Sequence, residues 1–194
     1  MPTEIREPRT KFEEMTREGN LPVPRSPEEL EEILRELIRG LSNRDEDLEL
    51  IPQLFMMAAQ RDWHPNTVVK WAERLGFKFV TVDSWNSDPC IGGVYTEPSA
   101  SEIYRRMVKL WKWKRYRKTG WLSGETHAVT LAYDPEWRKL IVFKETSSGS
   151  FSESSGWTAI GIWPPGGVKI KRTSWDVVCG PDGYETEREK VVEL

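Results

Sequence analysis

Apolar residues follow a helical spacing most clearly between Ser26 and Gly40. Ser26 is a good N-cap, Pro27 occupies the first helical position, and Glu29 completes a capping box. Gly40 ends the pattern, as glycine commonly does at helix C-termini. The segment therefore predicts an acidic, amphipathic helix over 27–40, whose apolar face is a candidate surface for self-association into a homo-oligomer. The apolar positions are Leu30, Ile33, Leu34, Leu37 and Ile38.

Three further helices and one strand are predicted in the middle of the chain. Helical spacing of apolar residues predicts the helices, and proline stands at the start of the first two. Gly76 supplies a stop after the second of them. A run of aromatic and β-branched residues, FKFVTV, predicts the strand. The helices are expected at 52–62, 65–75 and 101–117, and the strand at 77–82.

The last third of the chain changes to the alternating spacing of strands. THAVTLAYDPEWRKLIVFKE predicts two strands around a turn at 134–137, with proline at a favoured turn position. WTAIGIW and VKIKRTSWDVV predict two more strands, separated by a turn rich in proline and glycine. SSGSFSESSG (147–156) has the composition of a mobile loop.

This order of elements predicts an α+β fold, in which N-terminal helices are followed by a mainly antiparallel sheet with one basic helix packed on it. The 194 residues suit a single domain of ordinary size. We expect an irregular arm at 1–24, a domain at 25–183, and an acidic tail at 184–194 that frays. Within the domain, a helical part (25–76) precedes a part with helix and sheet (77–183).

The net charge of −3 hides a strong separation of charge along the chain. Residues 1–60 hold 8 basic and 14 acidic residues, whereas residues 101–145 hold 11 basic and 5 acidic residues. A basic middle behind an acidic front indicates an anionic partner, or docking of one part of the chain on the other. The hydrophobic content of 38% excludes a wholly disordered chain, and no apolar run is long enough to predict a membrane span.

The segment RRMVKLWKWKRYRKTGW (105–121) mixes cations with aromatic rings. On a helix, Met107, Trp111 and their neighbours would form an apolar stripe, and cations with two rings would collect on the other side. Cations neutralise phosphates and rings stack on unpaired bases, so this basic-aromatic helix (105–118) predicts binding of single-stranded nucleic acid. The predicted binding residues are Arg105, Arg106, Lys109, Lys112, Trp113 and Tyr116.

Other interpretations stay open. An acidic protein surface or an anionic membrane surface would also attract the cations of this segment. Alternatively, Trp113 and Tyr116 pack against another part of the chain, with the cations extending over them. A protein-interaction or oligomerisation module using the helix at 27–40 is a further alternative. We expect a non-catalytic, intracellular nucleic-acid-binding or scaffold protein. Because the sequence carries no housekeeping motif, this expectation extends to an accessory or structural protein of a virus or mobile element.

The stretch LFMMAAQRDWHPNTVVKWAERLGF resembles a helix-turn-helix in outline, with its turn at 62–64. The resemblance implies that Thr67, Lys70 and Arg74 would be exposed to DNA on the second helix. Two ordinary packed helices are the alternative interpretation.

Cys90 and Cys179 lie far apart in the sequence and form no CxxC pattern. Because the start of the chain lacks an apolar leader, we expect a cytoplasmic or nuclear protein that is not secreted, with two reduced thiols. The spacing of these cysteines relative to His64 and His127 matches no ligand pattern. No metal or other cofactor is therefore predicted.

The run from His127 to Trp163, HAVTLAYDPEWRKLIVFKETSSGS…SSGWTAIGIW, resembles the strand-turn-strand around the histidine of papain-like cysteine hydrolases. The resemblance implies an alternative function, a thiol hydrolase with Cys90 as nucleophile and His127 as its base. Glu145 stands nearest to where that family has an asparagine. With a simple four-residue turn, His127 would face Lys144 across the hairpin, and Glu145 would face it only after a one-residue bulge.

Overall fold

The computed structural model describes residues 62–194 except 182 and 184, and, among residues 1–61, only 26, 28, 29, 32, 52, 55, 56 and 60. The chain divides into two compact units, 1–62 and 63–194. In the first unit, the Glu29 amide donates to Ser26 Oγ at 3.2 Å, as expected for the start of the helix predicted there. The arm at 1–24 and most of the helices predicted at 27–40 and 52–62 lie outside the described residues.

In the second unit, one antiparallel sheet of eight strands forms in the order β3-β4-β5-β6-β1-β2-β7-β8. Two short helices accompany it, α1 (Pro65–Arg74) and α2 (Ala100–Arg106). The strands are β1 (Lys78–Asn86), β2 (Gly93–Glu97), β3 (Val108–Lys118), β4 (Gly124–Asp134), β5 (Lys139–Gly149), β6 (Ser154–Trp163), β7 (Lys169–Val177) and β8 (Glu185–Glu193).

The predicted fold class is wrong. The second unit is dominated by a single sheet with two short helices, instead of a helical part followed by a sheet that carries a basic helix. The largest error concerns the helix expected at 101–117. It ends as α2 at Arg106, Met107 adopts extended angles, and the basic-aromatic segment continues as β3.

The residues of β3 explain this error. In KLWKWKRYRK, a strand spacing sorts cations and rings onto faces nearly as well as a helical spacing does. Aromatic residues also favour strands. Pairing with β4 along the whole of β3 then decides the outcome, because it provides hydrogen-bond partners for the β3 backbone in the extended conformation.

Several local predictions are confirmed. Helix α1 forms where expected, and Gly76 follows it with a φ of +98°. The strand predicted at 77–82 is the first part of β1, and the hairpin around Asp134–Trp137 is formed by β4 and β5. The loop expected at 147–156 is much shorter, because both of its ends continue the pairing of β5 with β6.

The acidic end of the chain also differs from our expectation of a fraying tail. Residues Glu185–Glu193 form β8, which pairs with β7 along its whole length. Leu194 is buried, and its backbone exchanges hydrogen bonds with Val168 and Gly166. The alternating charged residues of β8 suit an edge strand, where they discourage pairing with another chain.

The sheet has two faces, which we name by the helix on each. On the α1 face, helix α1 lies against β3, β4 and β5, where Val129, Leu131 and Val142 are buried. On the α2 face, Ile103 and Met107 pack against a cluster from β1, β4, β5 and β6. On these strands the cluster includes Val82, Ala132, Ile141, Phe143, Ile160 and Ile162, and it extends to Val168, Ile170 and Leu194.

Candidate nucleic-acid interface

Strand β3 sorts its side chains between the two faces. Lys112 pairs with Thr130, which in turn pairs with Phe143, so Lys112 stands on the α2 face. Alternation places Lys114, Tyr116 and Lys118 on that face as well, and all four side chains are exposed. An irregularity in the pairing between Lys109 and Trp111 brings Lys109 to the same face, opposite Ala132.

Two predicted phosphate ligands make contacts within the protein. Arg106 Nε donates to the buried Asp134 at 2.7 Å, and Arg106 Nη1 donates to Glu136 at 3.2 Å. Its guanidinium also lies 4.0 Å from the centre of the Trp137 ring. Arg106 therefore fixes α2 to the β4–β5 turn. Arg105 Nε donates to Ser101 O within α2, at 3.4 Å.

The predicted pairing of Trp113 with Tyr116 is also wrong, since the two rings lie on opposite faces of the sheet. Trp113 is half-buried on the α1 face, and its Nε1 is buried without a hydrogen-bond partner in the described structure. Tyr116 is 63% exposed on the α2 face. Odd spacing on a strand separates residues that helical geometry would have brought to one side.

Trp85 is the functional candidate that sequence reasoning missed. It belongs to the later part of β1, beyond the strand predicted at 77–82. Trp85 pairs with Gly156 and is 47% exposed. A Cβ atom on Gly156 would lie 2.6 Å from Trp85 Nε1, so the glycine lets the ring lie flat on the sheet. The signal for Trp85 is its pairing with a glycine on the neighbouring strand, and this pairing can be recognised only when the register of the two strands is known.

Tyr116 rests on glycine in the same way. Its ring occupies the space that a Cβ atom on Gly124 would need. The rings of Trp85 and Tyr116 therefore each turn one broad side toward the sheet and leave the other accessible. Glycines beneath aromatic rings are also used to stabilise sheets, as Phe79 over Gly161 illustrates on the α1 face.

Between these rings lies a groove on the part of the α2 face that helix α2 does not cover. Lys112 and Lys114 of β3 line one wall, and Trp85 of β1 lines the other. The groove encloses about 280 Å³, close to the lower limit of about 300 Å³ for ligand pockets, so it suits one small ring at a time. The floor is formed by Thr126, Ala128, Glu145, Ser147 and Thr158.

The groove continues toward the β3–β4 turn. Tyr116 and Lys118 line this continuation together with Trp121 and Leu122 of the turn. The Trp121 side chain is 84% exposed. We call the whole surface, from Lys112 and Trp85 to Trp121, the open half of the α2 face.

The open half carries charges of both signs. Lys112, Lys114 and Lys118 stand along β3, and Glu145 lies two strands away. Asp83 follows in the same row as Glu145, since both pair with Thr158. Burial raises the pKa of Asp83, because the carboxylate is partly withdrawn from water. The positive charge is thus concentrated on the β3 wall, with Glu145 on the floor and Asp83 beyond Thr158 in the same row.

The α1 face holds a different polar cluster, which is centred on a buried lysine. Lys144 is fully buried, and its Nζ lies 3.1 Å from His127 Nδ1 and donates to Thr146 Oγ1 at 3.0 Å. His127 Nε2 lies 2.6 Å from Glu125 Oε1. Burial lowers the pKa of Lys144 to about 8, although Glu125 and Glu145 act in the opposite direction. Lys144 has no exposed surface, whereas the Glu125 side chain at the other end of the cluster is 36% exposed.

The structure does not bring together the residues that the thiol-hydrolase alternative requires. Cys90 is bonded to Cys179, so it is not a free nucleophile, and the expectation of reduced thiols is wrong. The β2–β7 pairing explains the disulfide, because it brings the segments next to Gly93 and Trp175 together, with the two cysteine Cα atoms 5.3 Å apart.

The predicted triad is also not assembled around His127. His127 faces Thr146, and Glu145 pairs with Ala128 on the opposite face. The turn has four residues between Asp134 and Lys139, which are paired, and Arg138 adopts a φ of +54°. The observed pairing of β4 with β5 differs from the expected pairing by two residues. Because side chains alternate between faces with a period of two, each side chain stays on the face that we expected.

The helix-turn-helix prediction is tested only in its second half. Thr67, Lys70 and Arg74 lie on α1, and the Arg74 guanidinium is 5.0 Å from the centre of the Trp71 ring. The first helix of the motif falls mostly outside the described residues.

Among the described residues, no group of three or more His, Cys, Asp or Glu side chains is arranged to hold a metal ion. None of the helices in this part of the chain has both the length and the apolar character needed to cross a membrane. Comparisons of the chain with protein-family models, curated proteins and solved structures found no match.

Proposed function

We propose that this protein binds single-stranded nucleic acid on the open half of the α2 face. The observation that carries the proposal is the placement of Trp85 and Tyr116. Both rings are exposed and rest on glycines, and Lys112 and Lys114 stand beside them. This arrangement moves the predicted interface from a helix to a sheet, and it keeps Lys112 and Tyr116 from the sequence-based set. Lys109 lies outside the groove, with its Nζ 4.1 Å from the centre of the Tyr104 ring.

The rings supply the part of the affinity that requires unpaired bases. A flat, exposed aromatic side chain stacks on a base of any sequence, which contributes about 1–3 kcal/mol per base. Bases inside a duplex are already stacked on each other, so a surface of this kind favours single strands. Trp121 at the end of the groove offers a third exposed ring for a neighbouring base.

The lysines of β3 supply the electrostatic part of the affinity for single-stranded nucleic acid. Lys112, Lys114 and Lys118 lie on one face of β3 along one wall of the groove, with Tyr116 between the last two, so their ammonium groups follow the direction of the strand. A nucleic acid lying along β3 would place phosphates near this wall and bases over the floor. Release of counterions from the phosphates then makes the affinity depend strongly on salt.

The test is a titration of the full chain with fluorescently labelled 12-nucleotide RNA and DNA single strands and the matching duplexes, at several salt concentrations. We expect single strands to bind more tightly than duplexes. Trp85→Ala and Tyr116→Ala should each weaken binding by about 5- to 150-fold, which corresponds to the loss of one stacked ring. Phe151→Ala removes an exposed ring that does not line the groove, and should leave the affinity unchanged.

The double variant Lys112→Ala/Lys114→Ala tests the charged wall. For a single strand, each lost phosphate contact reduces the slope of log affinity against log salt by about 0.7, so we expect a reduction of about 1.4. Lys169→Ala/Lys190→Ala removes the same charge from exposed positions on β7 and β8 and should not change the slope. Absence of binding at low salt, or binding that none of the groove variants weakens, would refute the proposal.

A further inference from the structure

Resting on the proposed function, we propose that the groove prefers guanine among the bases. Glu145 and Lys114 together present an anionic acceptor and a cationic donor on the groove surface, which matches the Watson–Crick edge of guanine. The proposal concerns selectivity at one base position, so it can fail while single-stranded binding itself is retained.

The register places these two side chains on either side of one small residue. Ala128 pairs with Lys114 on β3 and with Glu145 on β5. Two strand spacings put the Cα atoms of Lys114 and Glu145 roughly 10 Å apart, a gap that their extended side chains can narrow from both sides. The methyl group of Ala128 is too short to separate them, and both side chains line the groove.

The stacking surface lies one step along the strands from this pair. Trp85 covers Gly156, in the row that contains Ser147 and Thr126, whereas Glu145 and Thr158 form the next row. A base stacked on Trp85 above the first row would therefore point one edge toward Glu145. The volume of about 280 Å³ limits this position to a single base.

The hydrogen-bonding chemistry of the bases then decides between them. An ionised carboxylate only accepts hydrogen bonds, and it can accept two at once. Guanine presents N1–H and N2–H₂ side by side, followed by the O6 acceptor, so Glu145 can accept from both donors while Lys114 donates to O6. Adenine and cytosine each set a ring nitrogen acceptor beside their amino group, and uracil sets its single N–H between two carbonyls. Each of these three would turn a lone pair toward the carboxylate.

The experiment uses uridine 7-mers that carry one central guanosine, inosine, adenosine or cytidine, titrated with the full chain. We expect the guanosine oligomer to bind about 5- to 150-fold more tightly than the all-uridine one, the range for one good bidentate base contact. Inosine lacks the N2 amino group and should fall between the two. Equal binding of all five oligomers, with Trp85→Ala still weakening each, would refute base selectivity and leave the proposed function intact. Failure of every oligomer to bind would refute the proposed function.

Glu145→Gln separates recognition from charge. Removing a negative charge from the groove should slightly strengthen binding of the all-uridine oligomer, whereas the glutamine amide, with one acceptor, should abolish most of the guanosine preference. Glu185→Gln on β8 removes the same charge from an exposed position away from the groove and should leave the preference unchanged. A Glu145→Gln variant that keeps the full guanosine preference would contradict the proposal, provided that its urea unfolding matches that of the unmodified chain.

Discussion

The covered and open parts of the sheet meet within three consecutive residues of β5. Phe143 is buried under α2, Lys144 is buried on the α1 face, and Glu145 lines the groove of the open half. The space under α2, the α1 face and the groove are built on the same strands. They therefore share a backbone conformation and differ in their side chains. Under α2, β5 and β6 carry isoleucine and phenylalanine, whereas in the open half they carry Glu145, Ser147, Gly156 and Thr158.

This difference shows how an antiparallel sheet can make a groove without a dedicated loop. Large aliphatic residues fill the space beneath helix α2, whereas small or polar residues in the open half leave a shallow depression above the sheet. Trp85 of β1 and the lysines of β3 form the two walls of this depression. Burial of apolar residues in the covered part stabilises the fold, whereas residues of the open half can be substituted with little loss of stability.

The largest effect that tests this comparison is expected for Phe143→Ala. Phe143 is 3% exposed, and its ring centre lies 5.1 Å from that of Tyr104. Its truncation should lower the free energy of unfolding by about 3–5 kcal/mol, because a cavity remains under α2. Ser147→Ala, on the same face of the same strand in the open half, should stay within about 0.5 kcal/mol. Urea unfolding measures both, and losses of similar size would contradict the division into covered and open parts.

Lys144→Met tests the buried cation on the α1 face. Because burial lowers the pKa of Lys144 to about 8, the folded state releases its proton at a lower pH than the unfolded state. The charged lysine therefore destabilises the fold below pH 8, and this penalty is relieved as the pH rises from about 8 toward the ordinary lysine value.

The measurement is the free energy of unfolding of both proteins between pH 7 and pH 10.5. The unmodified chain should gain up to roughly 3 kcal/mol relative to Lys144→Met over the upper part of that range, while the difference should be constant below pH 7.5. A difference that is independent of pH throughout would show that Lys144 is not shielded from water as the structure indicates.

Trp113→Phe sharpens the contrast between the two faces of β3. Trp113 Nε1 is buried without a hydrogen-bond partner among the described residues, so replacing the indole removes an unsatisfied donor. We expect the free energy of unfolding to rise by about 1 kcal/mol and the affinity for single strands to stay the same. Tyr116→Ala should show the reverse pattern, with lower affinity and little change in stability. A destabilised Trp113→Phe protein would contradict this expectation.

The smallest effect is expected at His64, which caps α1. His64 Nδ1 accepts from the Asn66 amide at 3.1 Å, and the His64 ring lies 4.3 Å from the His127 ring. Burial, then His127 and Lys144, lower the pKa of His64, so the unfolded state binds its proton more readily and stability falls as the pH drops below about 6.5. His64→Asn keeps a capping acceptor, should match the unmodified chain at pH 7.5 within about 0.5 kcal/mol, and should lose less stability at pH 5.5. Identical acid profiles in thermal unfolding would contradict this role.

The sequence could predict those elements whose signals are local. Helix α1 has proline at its start and Gly76 after its end, and the runs that became β1, β4, β5, β6 and β7 are rich in β-branched and aromatic residues. Strand β8 was missed because its charged residues resemble a solvated tail. Strand β8 forms by pairing with β7, and this pairing cannot be recognised from the local sequence of β8.

The candidate site depended on information that a single segment does not contain. The alternation in β3 fits both a helix and a strand, and only its pairing with β4 separates Trp113 from Tyr116. Trp85 becomes a candidate once it is known to face Gly156, some 70 residues later in the chain. The partnership of Cys90 with Cys179 likewise follows from the contact between β2 and β7, not from sequence spacing.

The Cys90–Cys179 bond closes the chain into a covalent ring that includes α2 and the strands from β2 to β7. A single proteolytic cut anywhere inside this ring leaves one molecule, since both fragments stay attached through sulfur. The β5–β6 turn exposes Phe151 almost completely, at 89%, and offers chymotrypsin such a cleavage point. A chain nicked there would migrate as one band on a denaturing gel and separate into two only after a reductant is added.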